Sequence, residues 1–349
     1  MTFRLFLRLF LVGCLLWGCA PRFLPPDNDM PDDDMPDNVM LAPRLTESSF
    51  ITFDSTALPL RVWLPDRPPV AVMVALHGYN DYGNFIKDAA GWFTARGIGI
   101  YAYDQRGFGA APRRGKWAGH EVMADDLRTF ISLVRKRHPE VSLHLLGDSM
   151  GGAVVMVAER PEDPLQADGI ILIAPAVWAR STMPFYQRWV LWLGARLLPW
   201  LRVSPEGLDI TPSDNREMLK ALGRDPLILH ESRIDALHGL ANLMDAAYEA
   251  AGRFDRKVLF LYGARDEIIP PRPMADVFVK RVQGRFAQPQ RLLVYENGYH
   301  MLLRDLQAEV VWNDILHWLT APAGDFPSVR DKAAQEITRE TDVQRFLHP

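Results

Sequence analysis

Val141-Ser-Leu-His-Leu-Leu-Gly147-Asp148-Ser149-Met150-Gly151-Gly152-Ala153 is the stretch on which the reading of this chain turns. Val141–Leu146 is a short apolar run of the kind that forms a strand buried on both faces. It enters a Gly-x-Ser-x-Gly pattern at Gly147–Gly151, and a helical pattern over Met150–Glu159 follows at once. Strand, sharp turn and helix in that order hold a serine in strained backbone geometry at the tip of the turn, where its hydroxyl is exposed to attack a substrate. The flanking glycines allow neighbouring backbones to approach closely, and Gly152 and Ala153 keep the start of the helix narrow against the sheet. A serine hydroxyl is a poor nucleophile until a base takes its proton, so a histidine and an orienting acid are required elsewhere in the chain.

Working outward, the same alternation recurs. Ser49–Phe53 and Leu60–Leu64 read as an antiparallel opening pair, followed by continuous apolar strands at Val70–Leu76, Ile98–Tyr103, Gly169–Ala174, Val258–Tyr262 and Arg291–Tyr295. Helical periodicity fills the gaps at Phe85–Ala95, Val122–Arg137, Met274–Arg281 and Ala308–Leu319. This is the pattern of a mostly parallel sheet covered by helices on both faces. With the serine on one strand end, the acid and then the histidine are sought on later strand ends. Val258–Tyr262 runs into Gly263-Ala264-Arg265-Asp266, which makes Asp266 the candidate acid, with Glu267 its close competitor. Arg291–Tyr295 is followed by a turn and His300, the histidine best placed to serve as base. Charge developing on a carbonyl oxygen needs preorganised donors. The backbone N–H of Met150 and that of Tyr79, in the His77-Gly78-Tyr79-Asn80 loop after Val70–Leu76, are the candidates, with His77 read as a brace for that loop. A neutral His300 acting as base predicts activity that falls on the acid side of about pH 6.5.

His77-Gly78-Tyr79, Tyr103-Asp104-Gln105-Arg106-Gly107-Phe108-Gly109, Leu146–Ala153, Gly263–Asp266 and Gly298-Tyr299-His300 fall in an order and spacing that resembles the monoacylglycerol lipase and lysophospholipase group of the α/β-hydrolase superfamily, over roughly residues 45–320. The resemblance implies an α/β-hydrolase fold with an eight-stranded sheet, a helical cap inserted after strand 6, and no cofactor. It implies hydrolysis of a carboxylic ester of a lipid, monoacylglycerol or lysophospholipid, through a Ser149–His300–Asp266 triad and an acyl-enzyme. Asp148 is a departure, standing where many relatives carry histidine. Fold and triad alone leave open a small-ester hydrolase or serine peptidase of the same superfamily, and a lipoprotein that binds lipid without turnover.

The chain has 349 residues and a net charge of −4, with 48% hydrophobic and 23% charged residues. That balance is globular and argues against a nucleic-acid partner, which needs a clustered excess of Lys and Arg. Both cysteines, Cys14 and Cys19, lie near the N-terminus, so the folded body offers no cysteine nucleophile, disulfide framework or Cys-ligated metal site. Gly97–Ala102 fits Gly-x-Gly-x-x-Ala but opens a strand rather than a strand-to-helix turn, so no dinucleotide is expected. No metal is expected either.

Arg4 and Arg8 precede an uncharged run from Leu9 to Ala20, the layout of a secretory signal over residues 1–18. Leu16-Trp17-Gly18-Cys19 resembles a bacterial lipoprotein processing site, with Leu11-Val12-Gly13-Cys14 as an alternative. Export and acylation of Cys19, giving a membrane-anchored lipoprotein of the cell envelope, are the expectation. Residues 19–44 are rich in proline and carry Asp27, Asp29, Asp32, Asp33, Asp34 and Asp37, a composition suited to a flexible tether. The domain division expected is a core at 45–174 and 258–320, a cap at 175–257 and a tail at 321–349 with an amphipathic helix over Val329–Leu347. The cap holds Trp178, Trp189, Trp192 and Trp200, and Trp178, Trp189 and Trp192 are the candidate acyl-binding residues.

Overall fold

The computed structural model describes residues 42–337, apart from 206, 208, 254, 283–286 and 322–323. The signal, Cys14, Cys19 and all but the end of the tether lie outside the described residues, as does the chain beyond 337.

A ten-stranded mixed sheet runs through the molecule. Its strands are β1 (Arg44–Leu45), β2 (Ser49–Ile51), β3 (Ala57–Trp63), β4 (Ala71–Leu76), β5 (Ile98–Tyr103), β6 (Ser142–Asp148), β7 (Gly169–Ile173), β10 (Val258–Gly263), β11 (Gln290–Tyr295) and β12 (Ala334–Glu336), while β8 (Arg202–Val203) and β9 (Ser232–Arg233) form a separate pair in the cap. The spatial order is β1-β2-β3-β5-β4-β6-β7-β10-β11-β12, parallel from β5 to β11 and antiparallel at both margins. The expected eight strands are all present, and the sheet exceeds them by the two short edge strands.

The continuous apolar strands are central because both faces are covered. Along β4, Val72, Val74 and Leu76 enter one core while Ala71, Met73 and Ala75 enter the other. The first core is closed by α2 (His120–Arg137) and α3 (Met150–Ala158), the second by α1 (Lys87–Thr94) and α8 (Ala308–Thr320). Between β7 and β10 lies the cap, with α4 (Phe185–Leu197), α5 (Arg216–Leu222) and α6 (Ile234–Ala250). Leu243, Met244 and Ala247 of α6 are buried in the first core, so this helix belongs to the core wall as much as to the cap. A short α7 (Pro271–Asp276) follows β10, and α9 (Pro327–Arg330) follows α8.

The described part of the tail corrects the expected helix from Val329. After α9 the chain turns at Lys332 (φ 59°) and Ala334–Glu336 pairs antiparallel with β11. An open parallel edge exposes unpaired N–H and C=O groups, and β12 covers that of β11. Arg291 on β11 donates from Nε and Nη2 to the two carboxylate oxygens of Glu336 at 2.6 and 2.7 Å.

In the Tyr103–Gly109 segment, Arg106 forks onto two carboxylates. Its Nε and Nη2 donate to Asp126 of α2 at 2.6 and 2.9 Å, and Nη1 and Nη2 to Asp54 of the β2–β3 turn at 2.7 and 2.8 Å. Removing one member of such a buried cluster typically costs about 3–5 kcal/mol, because the partner charge is left unpaired. Its work is to fasten the antiparallel margin to α2.

Candidate active site

Strand order reverses at β4, which has β5 on one side and β6 on the other. In open α/β sheets the crevice beyond the carboxyl ends of such strands is where ligands bind. Here it receives the loop after β4 and the turn after β6.

The turn after β6 is tight. An added Cβ at Gly147 would lie 2.5 Å from the Gly152 Cα, and one at Gly151 would lie 2.4 Å from the Leu76 carbonyl oxygen. Ser149 between them has φ 49° and ψ −111°, a region that a residue with a side chain occupies only under constraint. The constraint is hydrogen bonding: Ser149 N–H donates to the Ile173 carbonyl at 2.9 Å, and its own carbonyl accepts from Ala176 at 2.9 Å and Ala153 at 3.2 Å.

Asp266 and His300 come from the ends of β10 and β11. His300 Nδ1 and Asp266 Oδ2 are 2.7 Å apart, both side chains buried. Asp266 Oδ1 accepts from the backbone N–H groups of Ile268 and Ile269 at 2.8 and 2.9 Å, which fixes the carboxylate. With the proton on Nδ1 directed at Asp266, neutral His300 keeps its lone pair on Nε2. Glu267 turns elsewhere, accepting from Thr211 N–H at 2.6 Å. Burial alone would lower the His300 pKa, but the Asp266 and Asp148 carboxylates outweigh it and raise it above the ordinary histidine value. Neutral base is then reached at higher pH, so the acid limb expected near pH 6.5 moves upward.

On the other side of Ser149, an added Cβ at Gly78 would lie 3.4 Å from Ser149 Cβ. Among the described residues, neither Tyr79 N–H nor Met150 N–H donates to any acceptor, so two backbone donors stand unpaired beside the serine. His77 is buried in this loop, its Nε2 accepting from Gln105 N–H at 2.9 Å and its Nδ1 lying 2.8 Å from the Gly78 carbonyl. Both ring nitrogens are occupied by backbone, and burial lowers its pKa, so His77 is a neutral brace. The cap fastens the same loop. Asn80, at φ 65°, donates from Nδ2 to Ser232 Oγ at 3.1 Å and accepts on its carbonyl from Leu229 N–H at 3.0 Å, while Tyr82 Oη donates to Asp225 at 2.7 Å.

Ser149 and His300 open onto one cavity of about 490 Å³. Most of its wall is apolar, with Trp178, Met183, Leu191, Leu240, Met244 and Ile268 among the lining residues, and one part is charged, with Asp81, Asp148 and Arg304. Of the three candidate acyl-binding tryptophans, Trp178 lines this cavity. Trp189 and Trp192 do not: they are exposed and line a separate pocket with Arg180, Arg188 and His238. An amphipathic count cannot distinguish the inner from the outer face of an insert that is apolar nearly all round. Sequence reasoning missed Asp81 and Arg304. Arg304 follows His300 by four residues, after the apolar Met301-Leu302-Leu303, and its Nη2 donates to Asp81 at 2.5 Å. Among the described residues no cluster of three or more His, Cys, Asp or Glu side chains could hold a metal.

The strained Ser149 turn, the His300–Asp266 pair and the apolar cavity are the arrangement expected of a serine ester hydrolase of the α/β-hydrolase class, and the comparisons place the chain in that class. Residues 67–307 match the profile of the family described as serine aminopeptidase, S33, and the chain belongs to that family, within its monoacylglycerol-lipase-like group. It is 26% identical over 285 residues to a monoacylglycerol lipase of Mycolicibacterium smegmatis, covering 81% of this chain and 99% of that protein. It is 28% identical over 273 residues to the monoglyceride lipase of Rattus norvegicus, covering 76% and 86% of the two chains. A soluble variant of the Saccharomyces cerevisiae monoglyceride lipase in complex with a substrate analogue superposes with a TM-score of 0.66 at 19% identity, covering 84% of this chain and all of that one.

Proposed function

We propose that this chain is a membrane-anchored lipase that cleaves long-chain monoacylglycerol or lysophospholipid esters. Ser149 attacks the ester carbonyl as His300 Nε2 takes its proton, and His300 returns that proton to the departing alcohol. Asp266 holds His300 in the tautomer this requires, and the Tyr79 and Met150 N–H groups carry the charge on the carbonyl oxygen. Water then attacks the acyl-enzyme by the same relay.

The observation that carries the reading is the cavity: an apolar wall from Trp178 to Ile268 adjoins the strained Ser149 turn and the His300–Asp266 pair. An acyl chain suits the apolar wall, since each methylene taken from water contributes about 0.8 kcal/mol. The relatives' names point the same way. A small-ester hydrolase or peptidase would share the relay but gain nothing from that wall. The test compares the full chain with Ser149→Ala on a long-chain monoacylglycerol and on a short soluble ester. A strong preference for the long chain, absent from the variant, is expected; serine-dependent turnover of the short ester alone would move the substrate to small esters.

Two features support membrane attachment. Phe185, Tyr186, Trp189 and Val190 of α4 are 56–71% exposed, and α4 carries Arg188 and Arg196 but no Asp or Glu. A contiguous apolar face flanked by cations suits a bilayer interface. The second is the N-terminal sequence, in which Cys19 follows a signal-like run. Cys19→Ser is expected to release the protein from the membrane fraction and abolish incorporation of labelled fatty acid. Continued labelling would direct attention to Cys14.

A further inference from the structure

No residue of the charged part of the cavity wall takes or gives a proton in the relay just described. Asp81, Asp148 and Arg304 all line the space onto which Ser149 opens. Asp81 is fully engaged: Oδ2 accepts from Arg304 Nη2 at 2.5 Å and Oδ1 from Tyr82 N–H at 2.8 Å. Asp148 is buried, yet among the described residues no N–H or O–H group donates to its carboxylate. A carboxylate that opens onto the cavity with no protein donor is left to receive one from a bound molecule, and it stands next to the nucleophile. Arg304 and Asp81 offset one another, so Asp148 is the surplus charge: two carboxylates share one guanidinium. Arg304 meanwhile uses one N–H on Asp81 and, among the described residues, has no acceptor for Nε or Nη1.

An uncharged leaving group bearing hydroxyls matches this wall. It can donate to Asp148 and accept from Arg304. A leaving group bearing a phosphate brings a negative charge against an unpaired carboxylate, and like charges side by side repel. We infer that Asp148 is a specificity-determining residue that admits uncharged polyol leaving groups and rejects phosphate-bearing ones, which separates monoacylglycerol from anionic lysophospholipid as substrate. The inference rests on the catalytic reading of Ser149 given above and narrows its substrate class.

Burial pushes the Asp148 carboxyl up to about 6, against the opposing pull of His300 and Arg304. The charged groups that face it are those two, together with Asp81 and Asp266. Above that value Asp148 is ionised and discriminates; below it the carboxyl is neutral and the barrier to phosphate falls. His300 also titrates, but its protonation scales both substrates alike and cancels in their ratio.

The experiment uses the full chain with 1-oleoylglycerol and 1-oleoyl-lysophosphatidylglycerol, each dilute in neutral detergent micelles. The two share an acyl chain, and the phosphodiester keeps its charge throughout. The unmodified protein is expected to favour the uncharged lipid by about 100-fold in kcat/KM, and Asp148→Asn to narrow that ratio by about tenfold or more. In the unmodified protein the ratio should also shrink between about pH 8 and pH 5.5, a test that needs no variant to fold. Equal, serine-dependent turnover of the two lipids, or a ratio unmoved by both Asp148→Asn and pH, overturns the inference and leaves the relay standing. Turnover that survives Ser149→Ala, or turnover of neither lipid, overturns the catalytic reading and the inference with it.

Discussion

Ser149→Ala is expected to lower kcat on a long-chain monoacylglycerol by about 10⁴- to 10⁶-fold while the protein stays folded. What remains in such variants comes from oxyanion donors and substrate binding, and both persist here, because the Tyr79 and Met150 N–H groups are backbone. Stability should change little, since alanine keeps a Cβ and therefore the strain of φ 49° at this position. Ser149→Gly provides the contrast. It removes the same hydroxyl but tolerates the dihedral, so it should be as inactive and more stable by about 1 kcal/mol, within the range such strain stores. Paired rate and thermal-denaturation measurements read both effects. A Ser149→Ala protein retaining a tenth of the activity would remove the serine from the chemistry; a Ser149→Gly protein less stable than Ser149→Ala would remove strain from the account of the turn.

Much of this arrangement was legible because its causes are local. The central strands announce themselves as continuous apolar runs, a pattern that only burial on both faces makes compatible with solubility. Gly147 and Gly151 mark the nucleophile turn because any side chain there would collide with Gly152 or Leu76. Asp266 and His300 could be picked out by their places just past two such strands, which is where the sheet sends its loops towards the crevice.

What could not be read depends on contacts between distant segments. Arg304 and Asp81 are far apart in sequence, and neither sits in a pattern of its own. The Ala334–Glu336 strand has no apolar alternation, being specified by the open edge of β11 and the Arg291 fork rather than by its own side chains. Asp148 was visible as an unusual residue in the turn, but only the packing around it reveals a carboxylate without donors. The division between Trp178, inside the cavity, and Trp189 and Trp192, outside it, was equally beyond a one-dimensional reading.

Asp266→Asn should lower kcat by about 10⁴-fold, nearly as much as loss of the serine, through a different cause. Asparagine can keep the contacts of Oδ1 with Ile268 and Ile269, so the loop that carries it has reason to hold its shape. Its amide N–H, however, would face His300 Nδ1, where the carboxylate now accepts. Nδ1 would then have to accept, the ring proton would move to Nε2, and the nitrogen that takes the serine proton would no longer have a lone pair to offer. The pH profile carries a second signature. In the native protein the Asp266 and Asp148 carboxylates hold the His300 pKa above its ordinary value, so kcat/KM should fall as pH drops through a point above about 6.5. Removing the Asp266 charge weakens that hold, and the residual activity of the variant should fall at a lower pH than the native activity does. Asp148 still faces His300, so part of the elevation should survive. An acid that merely shaped the loop would change stability without displacing the acid limb. If Asp266→Asn leaves the limb in place and Glu267→Gln displaces it, the orienting role belongs to Glu267.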